Sequence, residues 1–202
     1  MSFRSIVLTL AAIAVCCIST ASAQQGCRSI VLPNGTVLKC EVVNGQKVYV
    51  DDNGNSYPAT STGVGDFKIV NTSTNPCVAE LDVTNINVTS NSGALGTVTT
   101  TLDPTRLSPR SKIRSNSLAS EFPATEDIYF YAQATVSSRP GRIYRSFQPV
   151  HLNSPNVKTF GPHLNEVFSL VGKVDFYDIN VPNVVAFTLT TLRVTLTKPQ
   201  QG

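Results

Sequence analysis

The sequence predicts an all-β fold, an antiparallel β-sandwich of immunoglobulin-like or jelly-roll-like type. Segments of alternating apolar and polar residues recur almost to the C-terminus, and Pro or Gly separates nearly all of them. No segment shows helical periodicity over three turns. Hydrophobic residues make up 41% of the chain and charged residues only 14%, while uncharged β-branched residues suit half-buried sheet surfaces. We expect seven to nine strands.

The first 23 residues are predicted to be a signal peptide. Arg4 gives a positive start, residues 6–17 are almost wholly apolar, and Ala21-Ser22-Ala23 supplies a small-x-small cleavage pattern. The apolar run is too short for a bilayer, which needs about 20 residues. A lipid anchor at Cys16 or Cys17 is the alternative, but neither follows Gly, Ala or Ser. We expect cleavage after Ala23 and a soluble, secreted or periplasmic protein.

The rest of the chain is predicted to divide into four parts. Three Asn-Gly pairs, at Asn34, Asn44 and Asn53, lie between β-prone runs and are strong hairpin signals. The parts are a signal-proximal β-hairpin meander at 24–58, a linker at 59–65, a β-sandwich domain at 66–198 and a tail at 199–202. The linker is inferred from its Thr, Ser and Gly content.

Three cysteines remain once the signal peptide is removed: Cys27, Cys40 and Cys77. If residues 32–35 form a turn, counting outward places Cys27 opposite Cys40 on one face of a hairpin. We therefore expect a Cys27–Cys40 disulfide, which export to an oxidising compartment allows. The fate of Cys77 stays open.

Alternation predicts the strands of the sandwich in order, at 67–70, 78–89, 97–102, 127–136, 143–152, 166–171, 173–177 and 184–197. A change of phase near Thr84-Asn85 predicts a β-bulge. The last strand also changes phase, between Leu189 and Leu192. Residues 103–122 contain two prolines and several serines and fit no strand, so we expect a functional or mobile loop.

Two groups of basic residues are the candidate binding surface. They are Arg106, Arg110, Lys112 and Arg114 in the 103–122 segment, and Arg139, Arg142 and Arg145 around an Arg-Pro-Gly-Arg turn. Together at one end of the sandwich they would attract a surface polysaccharide, lipopolysaccharide or an acidic protein. A solvated loop with dispersed charges is the alternative. Nucleic acid is excluded as a partner, because the protein is exported and no aromatic residues alternate with the arginines.

The sequence offers little for catalysis. Its two histidines, His151 and His163, lie in no nucleophile motif, and no cluster of Cys and His has zinc-ligand spacing. We therefore predict no catalytic residues, no metal and no cofactor. The observation that would indicate an enzyme is a deep pocket, one lined by Glu126, Asp127, Asp175 or His163.

Calcium is the one metal with candidate ligands. Asp51, Asn53 and Asn55 alternate as in a calcium loop, but Ser56 stands where an EF-hand has glycine and no glutamate is at the twelfth position. A hairpin turn explains the same residues. Asp175 and Asp178 are further calcium candidates, and Asn34, Asn71 and Asn87 are organism-dependent glycosylation acceptors.

These observations favour an exported, non-enzymatic structural or interaction protein of a bacterial envelope or extracellular matrix. It would act in adhesion or assembly, through its sandwich faces and the basic loop. The alternatives are a carbohydrate- or calcium-binding module and, less favoured, a secreted hydrolase. Expected partners are another envelope or matrix protein, a surface polysaccharide, or a second copy of this chain.

Overall fold

The computed structural model describes residues 27, 29–160 and 165–199. The predicted signal peptide, His163 and the end of the predicted tail lie outside the described residues. Every regular element of the described part is a β-strand. The strands are β1 (Val37–Asp51), β2 (Ser56–Thr74), β3 (Cys77–Asn91), β4 (Thr97–Leu102), β5 (Ser111–Ser115), β6 (Ala124–Phe130), β7 (Ala132–Val136), β8 (Tyr144–Ser146), β9 (Val150–Val157), β10 (Asn165–Leu170), β11 (Val174–Asp178) and β12 (Val185–Thr197).

The twelve strands form one antiparallel sheet that closes on itself. Its order is β1-β2-β3-β4-β7-β8-β11-β12-β10-β9-β6-β5, with further pairings of β1 with β12 and of β3 with β5. The predicted all-β, antiparallel class is confirmed. Opposite walls face each other across one core, as in a sandwich, but they belong to a single continuous sheet.

Two long strands make this closure possible, because each pairs with two different neighbours along its length. In β3, residues 78–81 pair with β5, whereas residues 87–91 pair with β4. In β12, residues 185–189 pair with β11, whereas residues 193–197 pair with β10. Strands β12, β1, β2 and β3 therefore form an unbroken wall, and the opposite wall is split into two groups of shorter strands.

The core follows the alternation of the sequence. In β3, Leu81 and Val83 are buried, and after a bulge at Thr84 the buried positions become Ile86 and Val88. Strand β12 changes phase in the same way between Leu189 and Leu192. Both predicted changes of phase are confirmed, because each extra residue turns the following side chains to the other face.

The Asn44-Gly45 pair is a bulge inside β1 and not a hairpin turn. Asn44 has φ of 51°, and the pairing registers of β1 with both β2 and β12 slip by one residue here. A Cβ on Gly45 would lie 2.7 Å from Cβ of Ser61, so glycine lets the strands approach closely. Before the bulge Cys40 and Val42 are buried, and after it Lys47 and Tyr49 are buried.

The predicted meander and linker are corrected by this arrangement. Strand β1 pairs along most of its length with β2 on one side and with β12 on the other, so it belongs to the main sheet. Residues 59–65 lie within β2 and carry ladder pairs to both β1 and β3. Several of these residues are small, and Gly63 and Gly65 have no side chain, so neighbouring strands pack closely here. The composition that suggested a flexible linker therefore serves close packing within the sheet.

The predicted Cys27–Cys40 disulfide is wrong. Cys27 is bonded to Cys77, 50 positions later, with a Cα–Cα distance of 5.6 Å. The hairpin that was expected to align Cys27 with Cys40 does not form, because residues 29–30 form a turn and Ile30 is fully buried. Cys40 faces the interior as a free thiol and donates a hydrogen bond to the carbonyl of Gly65 at 3.2 Å.

The 103–122 segment is not a loop throughout. Its residues 111–115 form β5, a short strand that pairs with β3 and β6 and completes the closure. Strand β5 buries Ser111, Ile113 and Ser115 and exposes Lys112 and Arg114. The buried serines hid the apolar alternation that would have marked the strand, because only Ile113 on the inner face is apolar.

Candidate functional site

The interior of the closed sheet contains an apolar cavity. Side chains from nine of the twelve strands line it, and most of them are aliphatic or aromatic. The cavity volume is about 50 Å³, so the space inside the closed sheet is narrow. Ligand sites in proteins are characteristically apolar enclosures of this kind with a few placed polar groups.

Lys47 is the one charged side chain that lines this cavity among the described residues. It is 5% exposed, and the part of the chain that the structure describes offers it no hydrogen bond and no carboxylate partner. Burial away from water disfavours the charged ammonium and lowers the pKa of Lys47 to about 8. An unpaired buried ammonium costs free energy, so its presence here calls for a functional explanation.

A row of hydroxyl groups accompanies Lys47 on the inner face. Tyr49 follows it at the two-residue spacing that keeps side chains on one side of a strand, and Thr100 also lines the cavity. Burial raises the pKa of Tyr49, and hydrogen bonds with Ser90 and Thr100 offset part of this effect. The hydroxyls of Ser61 and Ser90 are 2.9 Å apart. These hydroxyl groups therefore belong to the same wall as Lys47, the one made by β1 to β4.

Glu126 is a second buried charged residue of the interior. It lies on the same face of β6 as Ile128 and Phe130, both of which line the cavity, and it is 3% exposed. Burial raises its pKa to about 8, with smaller contributions from the negative charges of Glu166 and Asp127. Its Oε2 has no hydrogen-bond partner among the described residues. Glu126 therefore keeps its proton at neutral pH.

Cys40 responds to the same environment. Burial, the largest cause, and the negative charge that Glu126 carries at high pH raise the pKa of its thiol to about 12. The thiol is therefore neutral and weakly nucleophilic at physiological pH. Among the described interior groups, Lys47 and not Cys40 is the better nucleophile.

Sequence reasoning missed Lys47 and gave Glu126 no more than a conditional role. Lys47 lies between a presumed turn and the strand-like run of residues 48–50, where a solvent-facing lysine is the ordinary expectation. If the Asn44-Gly45 pair is taken as a β-bulge and not as a turn, the sequence predicts that Lys47 faces the interior. Glu126 lies two residues before Ile128 in an alternating run, so the same alternation predicts that Glu126 also faces the interior.

The seven predicted anion-binding cations lie mostly beside carboxylates. Arg106 and Arg145 both approach Asp103, Arg110 and Lys112 both approach Glu80, and Arg142 is 3.0 Å from Asp178. No described carboxylate lies within ion-pair distance of Arg114 or Arg139. Most of the positive charge is therefore balanced locally, and binding of an anionic partner stays a prediction.

Asp103 joins the two basic groups. Its side chain is fully buried, Arg106 Nε donates to its Oδ2 at 2.8 Å, and Arg145 Nε lies 3.5 Å from its Oδ1 without good hydrogen-bond alignment. Burial by itself raises the pKa of Asp103, but hydrogen bonds from Thr105 and Arg106 and the charge of Arg145 leave it below its usual value. The guanidinium of Arg106 also stacks 4.0 Å from the ring centre of Tyr131. This network holds the 103–106 segment against Tyr131, Arg145 and Phe147.

His151 contacts an acidic and an aromatic side chain on the outer face of the sheet. Its Nε2 is 2.7 Å from Oδ1 of Asp127, and its ring stacks on Tyr129 with centroids 4.3 Å apart. Asn153 donates to the same carboxylate oxygen at 2.9 Å. These side chains are on the outer face of β6 and β9, opposite the face that carries Glu126 and the cavity. The structure therefore places Glu126 and Asp127 on opposite sides of the wall.

The calcium candidates are engaged by the chain itself. Asp51 accepts hydrogen bonds from Asn55 and Tyr57 and from the backbone of Asn53, which lower its pKa to about 2. These bonds close the turn between β1 and β2, the hairpin that the sequence also allowed. Asp175 accepts from Thr188, and Asp178 from Arg142 and Asn180. Within the described residues no group of three or more His, Cys, Asp or Glu is placed to hold a metal ion.

No protein-family model matches this chain, and no curated protein matches its sequence. One solved structure is similar: DynF from the dynemicin biosynthesis pathway of Micromonospora chersina. It superposes with a TM-score of 0.70 over 84% of this chain and 83% of that chain, at 15% sequence identity. The two proteins share their fold.

This similarity corrects the function expected from the sequence. A structural or interaction protein of an envelope or matrix was predicted, acting through its outer faces, but the fold is shared with a protein of a biosynthetic pathway. The closed sheet also surrounds an apolar cavity with a buried lysine, which adhesion through outer faces does not require. The absence of histidine and zinc motifs misled the prediction, because a cavity of this kind is formed by residues far apart in the sequence.

Two observations bear on location. The Cys27–Cys77 disulfide is of the kind found in oxidising compartments. In the described ranges there is no helix with the length and apolar character to span a membrane.

Proposed function

We propose that this protein binds a slender, mostly apolar small molecule inside the closed sheet. The cavity carries this proposal, since its lining is apolar except for Lys47 and a few hydroxyl groups. Burial of a ligand's apolar surface here is favourable by about 25 cal/mol per Å². The narrow space suits an extended chain or a flat ring system better than a bulky polar molecule.

The similarity of fold to DynF, a protein of a biosynthesis pathway, supports a role in binding or converting a small molecule, either as a carrier or as an enzyme. We further propose that the protein works outside the cytoplasm. The apolar N-terminal segment with its Ala-Ser-Ala pattern and the disulfide support this location.

Binding is tested with N-phenyl-1-naphthylamine, an apolar dye whose fluorescence rises when it leaves water. We expect saturable binding by the wild-type protein. Ala134→Leu adds volume inside the cavity and should weaken binding at least tenfold. Thr135→Leu is the matched control, because Thr135 is the next residue on the same strand and faces outward.

The proposal is wrong if the dye does not bind, or if both variants bind it as the wild type does. Circular dichroism and thermal melting establish that Ala134→Leu is folded. Should it not fold, Ala132→Val adds a smaller volume to the same wall of the cavity and gives the same comparison.

A further inference from the structure

We propose that Lys47 is a nucleophilic site that forms an imine with the carbonyl carbon of an apolar aldehyde held in the cavity. This inference rests on the binding function proposed above and names the class of ligand. It concerns one side chain, the single charged group of the described cavity lining.

Placement is the first argument. Lys47 is 5% exposed, whereas the other six lysines of the chain are all exposed. The bulge at Asn44-Gly45 turns Lys47 inward, and β-bulges are found next to active sites where they redirect a side chain. Without the extra residue, Val48 would face the core and Lys47 would face solvent, the arrangement with the lower burial cost.

The lack of a counter-charge is the second argument. A lysine that serves as a fixed positive charge is paired with a carboxylate when buried, and none of the described residues pairs with Lys47. Desolvation instead favours the neutral amine, with a pKa of about 8. A desolvated lysine in an apolar pocket is the form in which this side chain attacks carbonyl groups.

The reaction balances without an oxidant or reductant. The lone pair of Nζ forms a bond to the carbonyl carbon as the carbonyl π bond breaks, and one proton of the nitrogen moves to the carbonyl oxygen to give a carbinolamine. Loss of that oxygen as water forms the carbon–nitrogen double bond, so one aldehyde and one amine give one imine and one water. Tyr49 and Thr100 lie on the same inner surface as hydroxyl groups able to exchange protons with the departing oxygen.

The experiment uses the disulfide-bonded protein, decanal as the aldehyde and sodium cyanoborohydride to convert any imine into a stable secondary amine. Peptide mapping then locates the adduct. At pH 7.5 and one equivalent of decanal we expect Lys47 to carry at least ten times the mean adduct of the six exposed lysines. Burial lowers the pKa of Lys47 from the ordinary lysine value of 10.5 to about 8, so a much larger fraction of its amine is neutral at pH 7.5 than in an unperturbed lysine.

Three controls separate site chemistry from general reactivity. Decanol has the same chain without a carbonyl group, so it should bind and protect Lys47 from decanal. Glycolaldehyde has a carbonyl group without the chain, so it should show no preference for Lys47. Lys47→Met keeps a similar chain length without an amine, so it should lose the selective adduct and leave the labelling of the six exposed lysines unchanged.

The outcomes distinguish this inference from the binding function. If decanol and decanal both displace the naphthylamine dye but the adduct is spread over exposed lysines, the imine assignment is wrong and binding stands. If neither displaces the dye and Lys47 is not labelled, both proposals fail. Selective labelling that decanol suppresses supports both, and the wild-type map needs no variant to fold.

Discussion

Replacement of Glu126 by Gln should remove a pH dependence of stability that the buried carboxyl group creates. In the unfolded chain this group has its ordinary pKa of about 4.5, whereas in the folded protein burial raises the pKa to about 8. Between these values the folded state holds a proton that the unfolded state has released. Stability therefore falls as the pH rises from about 4.5 to about 8.

The size of this effect follows from the two pKa values. At about 1.36 kcal/mol per pKa unit, the difference corresponds to about 5 kcal/mol of stability lost across the window. Below pH 4.5 the group is protonated in both states and contributes no dependence. Glutamine is neutral at every pH. The urea concentration at which Glu126→Gln unfolds should therefore stay nearly constant between pH 4.5 and 8, whereas that of the wild type should fall.

The assay is urea unfolding followed by circular dichroism at pH 4.5, 6, 7 and 8. The free energy of unfolding of Glu126→Gln minus that of the wild type should grow with pH, by up to about 1.4 kcal/mol per pH unit. Lys47 adds little to this difference, because its contribution to the pH dependence falls between its folded pKa of about 8 and its ordinary pKa of 10.5, and both proteins contain it.

Glu80→Gln is the matched control. Glu80 faces outward on β3 beside Arg110 and Lys112, and the hydrogen bond from Arg110 holds its pKa below the usual value. This variant should keep the decline of the wild type between pH 4.5 and 8. If the free energy of unfolding declines with pH equally in Glu126→Gln and in the wild type, the assignment of a buried, protonated carboxyl group to Glu126 is wrong.

Two further predictions concern the closure of the sheet. Replacing Cys27 and Cys77 together by Ser should lower the free energy of unfolding by about 4 kcal/mol, because the disulfide closes a segment with a sequence separation of 50. Urea unfolding measures this loss. If the double variant is as stable as the wild type and only replacement of Cys40 lowers the stability, the Cys27–Cys77 pairing is wrong. Gly45→Ala should cost about 1–3 kcal/mol, since the new Cβ would lie 2.7 Å from Cβ of Ser61 and 2.9 Å from its carbonyl oxygen. Ser61→Gly in the same chain should recover part of the loss in thermal melting, and a Gly45→Ala protein that melts with the wild type would show that the two strands are not in contact there.

The sequence by itself determined the strand class and much of the strand map. Strand β4 has the predicted bounds, 97–102, and the phase changes in β3 and β12 occur where the alternation predicts them. These features are local, because the two-residue period of side chains along a strand is set by the backbone itself. A strand whose buried face is apolar must show that period in its own residues, whereas β5, with buried Ser111 and Ser115, does not.

Only the tertiary structure decided which cysteines are bonded and which side chains face the cavity. Asn-Gly tolerates positive φ, and this serves a turn at Asn53-Gly54 and a bulge at Asn44-Gly45 equally well. The choice depends on the pairing of β1 with β12, more than 130 residues away in the chain. Lys47 is buried because the free energy gained by that long-range pairing exceeds the cost of removing the side chain from water. The residues around Lys47 in the sequence do not show which of these two terms is larger.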